Sequence, residues 1–173
     1  MTEKQERILK AALKLFAEQG YDSTSTSKVA KEAGVSEGLI FRHFSNKEGL
    51  LNAVLAQSAA AAQAMLSEVI MAASPKEKII KMLELPFSIS PSEYEMWRLT
   101  YALKWQRDVY ENSMQNSVKV VLEDAFKKLE YPNPSAEVEL LFMIMDGAAS
   151  TLILHKPAKP EALLQALKSK YAL

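Results

Sequence analysis

Between Thr24 and Lys47 the chain concentrates side chains that hydrogen-bond to anions and to nucleobase edges. They are Ser25, Thr26, Ser27 and Lys28, then Ser36 and Glu37, then Arg42, His43 and Lys47, with Gly38 lacking a side chain that would hold the backbone away from phosphate or base. Hydroxyls and amines donate to phosphate oxygens, a guanidinium does so through a planar fork, and a carboxylate accepts from a base amino group. The same residue types serve catalysis only with partners that are missing. There is no cysteine, which removes thiolate metal sites and cysteine nucleophiles. The two histidines, His43 and His155, fall at no metal-ligand spacing, and the chain has neither a glycine-rich phosphate loop nor a nucleophile motif. An enzyme is not expected, and neither a metal nor another cofactor.

Rigid elements must aim these groups, and the apolar spacing says which. Apolar residues recur every three or four positions, and no segment alternates with the β-branched enrichment of strands, so the expected class is all-α with about nine helices. Ile8, Leu9, Ala12, Leu13, Leu15 and Phe16 make one face of a helix from Glu3 to Gln19, closed by Gly20. Thr24, Ser25 and Thr26 offer N-caps for a short helix through Val29, Ala30 and Ala33 that ends at Gly34, and Ser36 caps another to about Phe44. In the connection Ala33-Gly34-Val35-Ser36, Gly34 can take a positive φ and Val35 can plug the angle between the helices. That is a helix-turn-helix, whose second helix enters the DNA major groove N-terminus first. Ser36, Glu37 and Gly38 would then face the bases, while Val29, Ala30, Val35, Ile40, Phe41 and Phe44 make the small core.

Beyond the motif, Ser45 and Glu48 have capping-box spacing ahead of a long helix from Lys47 to about Ala73. Ser74, Pro75 and Glu77 open a helix to about Leu85 that Pro86 stops, and Ser92 with Glu95 precedes Tyr94 to Gln106. A further helix runs from about Asp108 to Glu130, Ser135 caps Ala136 to about Leu154, and Pro160 to Tyr171 is the last.

Gly20-Tyr21, Thr24-Ser25, Val29-Ala30, Ala33-Gly34-Val35-Ser36, Gly38, Ile40-Phe41, His43-Phe44, Asn46-Lys47 and Leu50 strongly resemble the DNA-binding region of the tetracycline-repressor (TetR) family. The resemblance runs from about Ile8 to Leu55. It implies a DNA-binding domain over 1–46 and a helical effector-binding and dimerisation domain over 47–173. It further implies that Thr26, His43 and Lys47 contact phosphates, with the Ser25 cap beside them. Ser27 and Lys28 occupy positions that sometimes reach bases, and Ser36, Glu37, Gly38 and Arg42 belong to the recognition helix. Phe41 stands where the family often has tyrosine, so a phenolic bond to phosphate is lost and Arg42 can replace it. Glu37 either accepts from a cytosine amino group or caps helix amides.

Aromatic and thioether residues gather later: Phe87, Met96, Trp97, Tyr101, Trp105, Tyr110 and Met114, then Phe142, Met143 and Met145. They can line an apolar ligand cavity or simply fill a helical core. The resemblance favours the cavity. The resemblance implies a homodimer through the last two helices; Gly147, Ala148, Ala149 and Ser150 put small residues in mid-helix, where close crossing of a partner helix or ordinary packing within the chain offsets glycine's cost of roughly 1 kcal/mol.

The 173 residues, 49% hydrophobic, suffice for a folded core. No uninterrupted apolar run approaches the roughly 20 residues of a spanning helix, the alanine-rich Ser58 to Leu66 being too short, so neither a membrane span nor a signal peptide is expected and the cytoplasm is the expected address. Net charge is zero, yet residues 1–47 hold eight basic against six acidic residues, leaving a mild excess at the basic end. Together these features describe a transcription regulator. It is expected to bind a palindromic double-stranded operator as a homodimer and to be released, as a repressor, by a small apolar or aromatic effector. An activator or helical interaction module without small-molecule control is the alternative.

Overall fold

A computed structural model describes residues 1–104 and 113–171. Among them are nine α-helices, two 3-10 turns and no strand. The helices are α1 (Glu3–Gln19), α2 (Thr26–Ala33), α3 (Glu37–Phe44), α4 (Lys47–Met71), α5 (Pro75–Glu84), α6 (Tyr94–Lys104), α7 (Ser113–Lys128), α8 (Pro134–His155) and α9 (Pro160–Lys170); the turns are Leu85–Ser88 and Pro91–Glu93.

The all-α expectation holds, but three caps differ. Ser45 is not the N-cap of α4; it sits past the end of α3 at φ 67°, and the Asn46 side chain accepts from the Gly49 N–H at 2.7 Å instead. Ser135 does not cap α8, because Asn133 accepts from Ala136 N–H at 3.2 Å and Pro134 takes the first helical position. Ser36 has N-cap backbone geometry without a side-chain cap bond. In the first two cases a neighbouring asparagine does what sequence spacing assigned to serine.

Contacts divide the chain into two compact units, Met1–Ala61 with Ser92–Asp108, and Ala62–Pro91 with Val109–Leu173. This partition differs from a division at residue 46. In the first unit Ile8 and Phe16 of α1, Val29 of α2, Ile40 of α3, and Leu50, Leu51 and Val54 of α4 share one core with Leu99 and Leu103 of α6. Each such side chain contributes about 1.5–3 kcal/mol when fully buried, which makes α6 part of this unit although it follows the motif by some distance in sequence. The turn between α1 and α2 is held by buried Thr24, whose hydroxyl lies 2.8 Å from Gly20 O and 3.3 Å from Leu15 O.

In the second unit Val69, Ile79, Leu83, Val118, Leu122, Phe126, Val138 and Leu141 form the core, with Tyr171 against it. Phe126 meets Tyr131 edge to face at 5.0 Å between centroids, and the Tyr131 hydroxyl donates to Tyr171 O. Burial, aided by Glu137 and then Tyr131, pushes the Tyr171 phenol up to about 12. Its ordinary value is near 10, so the neutral form is the one the fold favours. Stability from this group is complete below about pH 10 and is lost as pH rises through 12. Alkaline melting curves should therefore fall across that window, and Tyr171→Phe should flatten the fall.

Two helices are long and apolar enough to cross a membrane by length and composition alone, α4 with 25 residues and α8 with 22. Neither is an uninterrupted apolar run, since charges such as Glu68 in α4 and Asp146 in α8 break them. One face of each helix lies in a protein core, through Leu50, Leu51 and Val54 for α4 and Val138, Leu141 and Met145 for α8.

Candidate nucleic-acid interface

The turn that sets α3 against α2 is closed by backbone geometry. Gly34 takes the left-handed conformation at φ 64°, ψ 42°, its N–H reaches Ala30 O and Lys31 O, and Val35 N–H donates to Ala30 O at 3.0 Å. This is the Schellman arrangement, with half-buried Val35 supplying the apolar contact. The Ser25 hydroxyl caps α2 by accepting from Lys28 N–H.

Only Ile40 of α3 is fully buried, and it anchors the helix. Phe41, one residue on and about 100° around the axis, is 46% exposed, which corrects its assignment to the core; Phe44 does pack there. Ser36, Gly38, Phe41 and Arg42 are exposed. A Cβ added at Gly38 would meet nothing within 4 Å, so the backbone there is open to close approach.

The remaining motif residues are held by protein contacts. Thr26 donates to Glu37 Oε1 at 2.6 Å, so Glu37 accepts from a side chain of α2. His43 Nδ1 lies 3.3 Å from Gln5 Nε2. Gln5 Oε1 accepts from Thr2 N–H in the capping box of α1, which fixes the amide so that its nitrogen donates to His43. The imidazole then keeps its hydrogen on Nε2, the atom away from Gln5. The Lys47 ammonium stands 4.3 Å over the Tyr21 ring and donates to Asp22 O, while Lys28 donates to Gln19 Oε1 and Ser23 O. Ser27 is exposed on α2. Sequence reasoning missed Gln5, although Thr2 and Gln5 have capping-box spacing, and it missed Tyr21 as the platform for Lys47.

The α3–α4 connection is tighter than any motif suggests. Asn46 N–H donates to Phe44 O at 2.8 Å across Ser45, a γ-turn with positive φ. A Cβ at Gly49 would fall onto that same Phe44 oxygen and within 3.1 Å of its carbonyl carbon.

The residues expected to line a ligand cavity fall into two groups. Met96, Trp97 and Tyr101 are half-buried on α6 in the first unit, with the Trp97 indole nitrogen buried and lacking an acceptor among the described residues. Phe87 and Phe142 are half-buried and Met145 is buried in the second unit. Met143 is 71% exposed and lines no core, because it lies on the face of α8 opposite Leu141 and Met145. Trp105 and Tyr110 lie outside the described residues, as does the Met114 side chain.

Residues 8–54 match the family of bacterial regulatory proteins, tetR family. The HTH-type transcriptional regulator YvkB of Bacillus subtilis (strain 168) is 51% identical over 51 residues, 30% of this chain and 27% of that protein. The fatty acid metabolism regulator protein of the same organism is 31% identical over 91 residues, 52% of this chain and 47% of that one. The matched region therefore spans less than two thirds of these relatives. A crystal structure of a transcriptional regulator from Saccharomonospora viridis in complex with choline shares the fold over 98% of this chain and 95% of its own, with TM-score 0.76 and 18% identity. By the match over residues 8–54, the helix-turn-helix region of this chain is similar to that of the tetR family of bacterial regulatory proteins.

Proposed function

We propose that the chain is a homodimeric transcription regulator that binds a palindromic operator and releases it when a small, largely apolar effector binds. The observation that carries this is α3. A helix anchored by buried Ile40 and by half-buried Leu39 and Phe44 presents Ser36, Gly38, Phe41 and Arg42 outward, and its first turn is free of bulk at Gly38. Arg42 supplies the charged fork for phosphate, and His43, oriented by Gln5, offers Nε2–H beside it. The helices α8 and α9 supply the second copy: Leu140, Met143, Leu154 and Leu163 are exposed apolar residues, with exposed Gly147 between them on α8. Leu140, Met143, Gly147 and Leu154 follow at intervals of three, four and seven, one stripe of the helix.

The half-buried aromatic residues of α6, with a buried Trp97 indole N–H that meets no acceptor among the described residues, support an effector that is apolar with an oxygen acceptor. Names among the relatives, a fatty acid metabolism regulator and a choline complex, are compatible with small organic effectors. Release requires that the effector favour a dimer whose recognition helices no longer match successive major grooves, about 34–36 Å apart. Tenfold preference per site is worth ~1.4 kcal/mol, so effective release needs more than that or two coupled sites.

Electrophoretic shift of duplexes selected from a random pool tests the reading, and absence of sequence-specific binding at low salt would overturn it. The basic excess of residues 1–47 is only two charges, and Lys28 and Lys47 are already bonded to the protein. Binding should therefore fall with salt along a log–log slope well short of about −10, because few counterions are released.

A further inference from the structure

Thr26 opens α2 and Glu37 opens α3, and the hydroxyl of one donates to the carboxylate of the other across 11 residues at 2.6 Å. The distance is that of a charge-assisted bond, and both residues are half-buried, so solvent competes with it only partly. A threonine hydroxyl has one hydrogen. Committed to Glu37, that hydrogen is not available to a phosphate, whose oxygens only accept. The residue expected to hold the DNA backbone is instead bonded to a neighbour in the recognition helix.

The consequence falls on Glu37. An ionised carboxylate only accepts, and one of its two oxygens is tied down while the other remains for a ligand. A fixed negative group at the start of a recognition helix repels phosphate. In the major groove it can meet two amino donors, cytosine N4 and adenine N6. Adenine sets the N7 acceptor beside its amino group, which a second acceptor would face unfavourably, whereas cytosine presents the amino group alone. We propose that Thr26 is a positioning residue that holds Glu37 to read a cytosine amino group in each half-site. The proposal rests on the DNA-binding reading above and names the base that reading leaves open.

The experiment is selection of duplex DNA from a random pool by the full chain, followed by titration of the selected duplex and of single-pair variants in several salt concentrations. The expected result is a fixed cytosine in each half-site whose replacement weakens wild-type binding about tenfold. Thr26→Val should lower that preference to below about threefold, while binding to unrelated duplex and the salt slope stay unchanged. Thr26→Ser, which keeps the hydroxyl, should restore it. Glu37→Gln should move the preference from cytosine towards adenine, and Glu37→Ala should abolish it even if Thr26→Val folds poorly. A Thr26→Val protein that binds every duplex more weakly by one common factor, with a shallower salt slope, marks a phosphate contact and overturns the proposal. So do selected sites without a fixed cytosine. Failure of the wild-type chain to select any sequence is a different result and removes the regulator reading itself, and this proposal with it.

Discussion

Gly49→Ala is expected to abolish specific DNA binding and to lower the thermal midpoint by roughly 10 °C. The added methyl group would collide with the carbonyl of Phe44, and both partners in the collision are backbone. No rotamer change relieves it. That carbonyl also accepts from Asn46 N–H, and Asn46 in turn caps the first turn of α4 through Gly49 N–H. Any shift that clears the methyl therefore breaks the γ-turn, the cap or both. Overpacking of this kind costs about 3 kcal/mol, with the loss of the cap adding to it. The displaced segment is the C-terminal end of α3, which carries Arg42 and His43, so the remaining folded protein presents its recognition helix wrongly. Circular dichroism melting and gel shift of the purified variant measure the two effects. Retention of wild-type binding would show that the turn does not aim α3.

Met143→Glu is expected to leave the subunit fold intact and to weaken self-association by about 100-fold or more, with operator binding lost in parallel. Met143 is 71% exposed and belongs to neither core cluster among the described residues, so the substitution costs little within a subunit. In a two-fold dimer the same position from both copies lies near the axis or is repeated across it, so one substitution places two carboxylates in an apolar seam. About 3 kcal/mol of lost association corresponds to that 100-fold change. Sedimentation velocity reads the dissociation, and an unchanged melting curve at low protein concentration separates it from misfolding. A variant that remains a tight dimer would move the interface away from the exposed face of α8.

Much of this was legible from residue spacing, and the exceptions share a cause. Helix positions followed from apolar periodicity because core faces are long and redundant: α1 alone carries six buried residues. Gly34 was readable as a positive-φ residue because the chain must reverse there. Caps and individual contacts were less legible, since a serine at cap spacing loses to a better-placed asparagine, as at Asn46 and Asn133. Phe41 was assigned to the core by its type, yet its place is decided by its angle from Ile40. The pairing of Thr26 with Glu37 could not be seen in one dimension, because it depends on how α2 and α3 cross. The same holds for Gly49, whose need for glycine comes from a carbonyl five residues earlier.

The burial of Leu99 and Leu103 in the core that α6 shares with α1 has a consequence for how the protein is made. The recognition helix leaves the ribosome early, but the core beneath it stays open until α6 has been synthesised. At about 5–20 residues per second, the interval from the middle of α4 to α6 amounts to several seconds in which this core lacks Leu99 and Leu103. A nascent chain in that interval exposes the apolar floor of its reading head, and so depends on speed of elongation, or on a chaperone, to arrive unaggregated at the point where it can close.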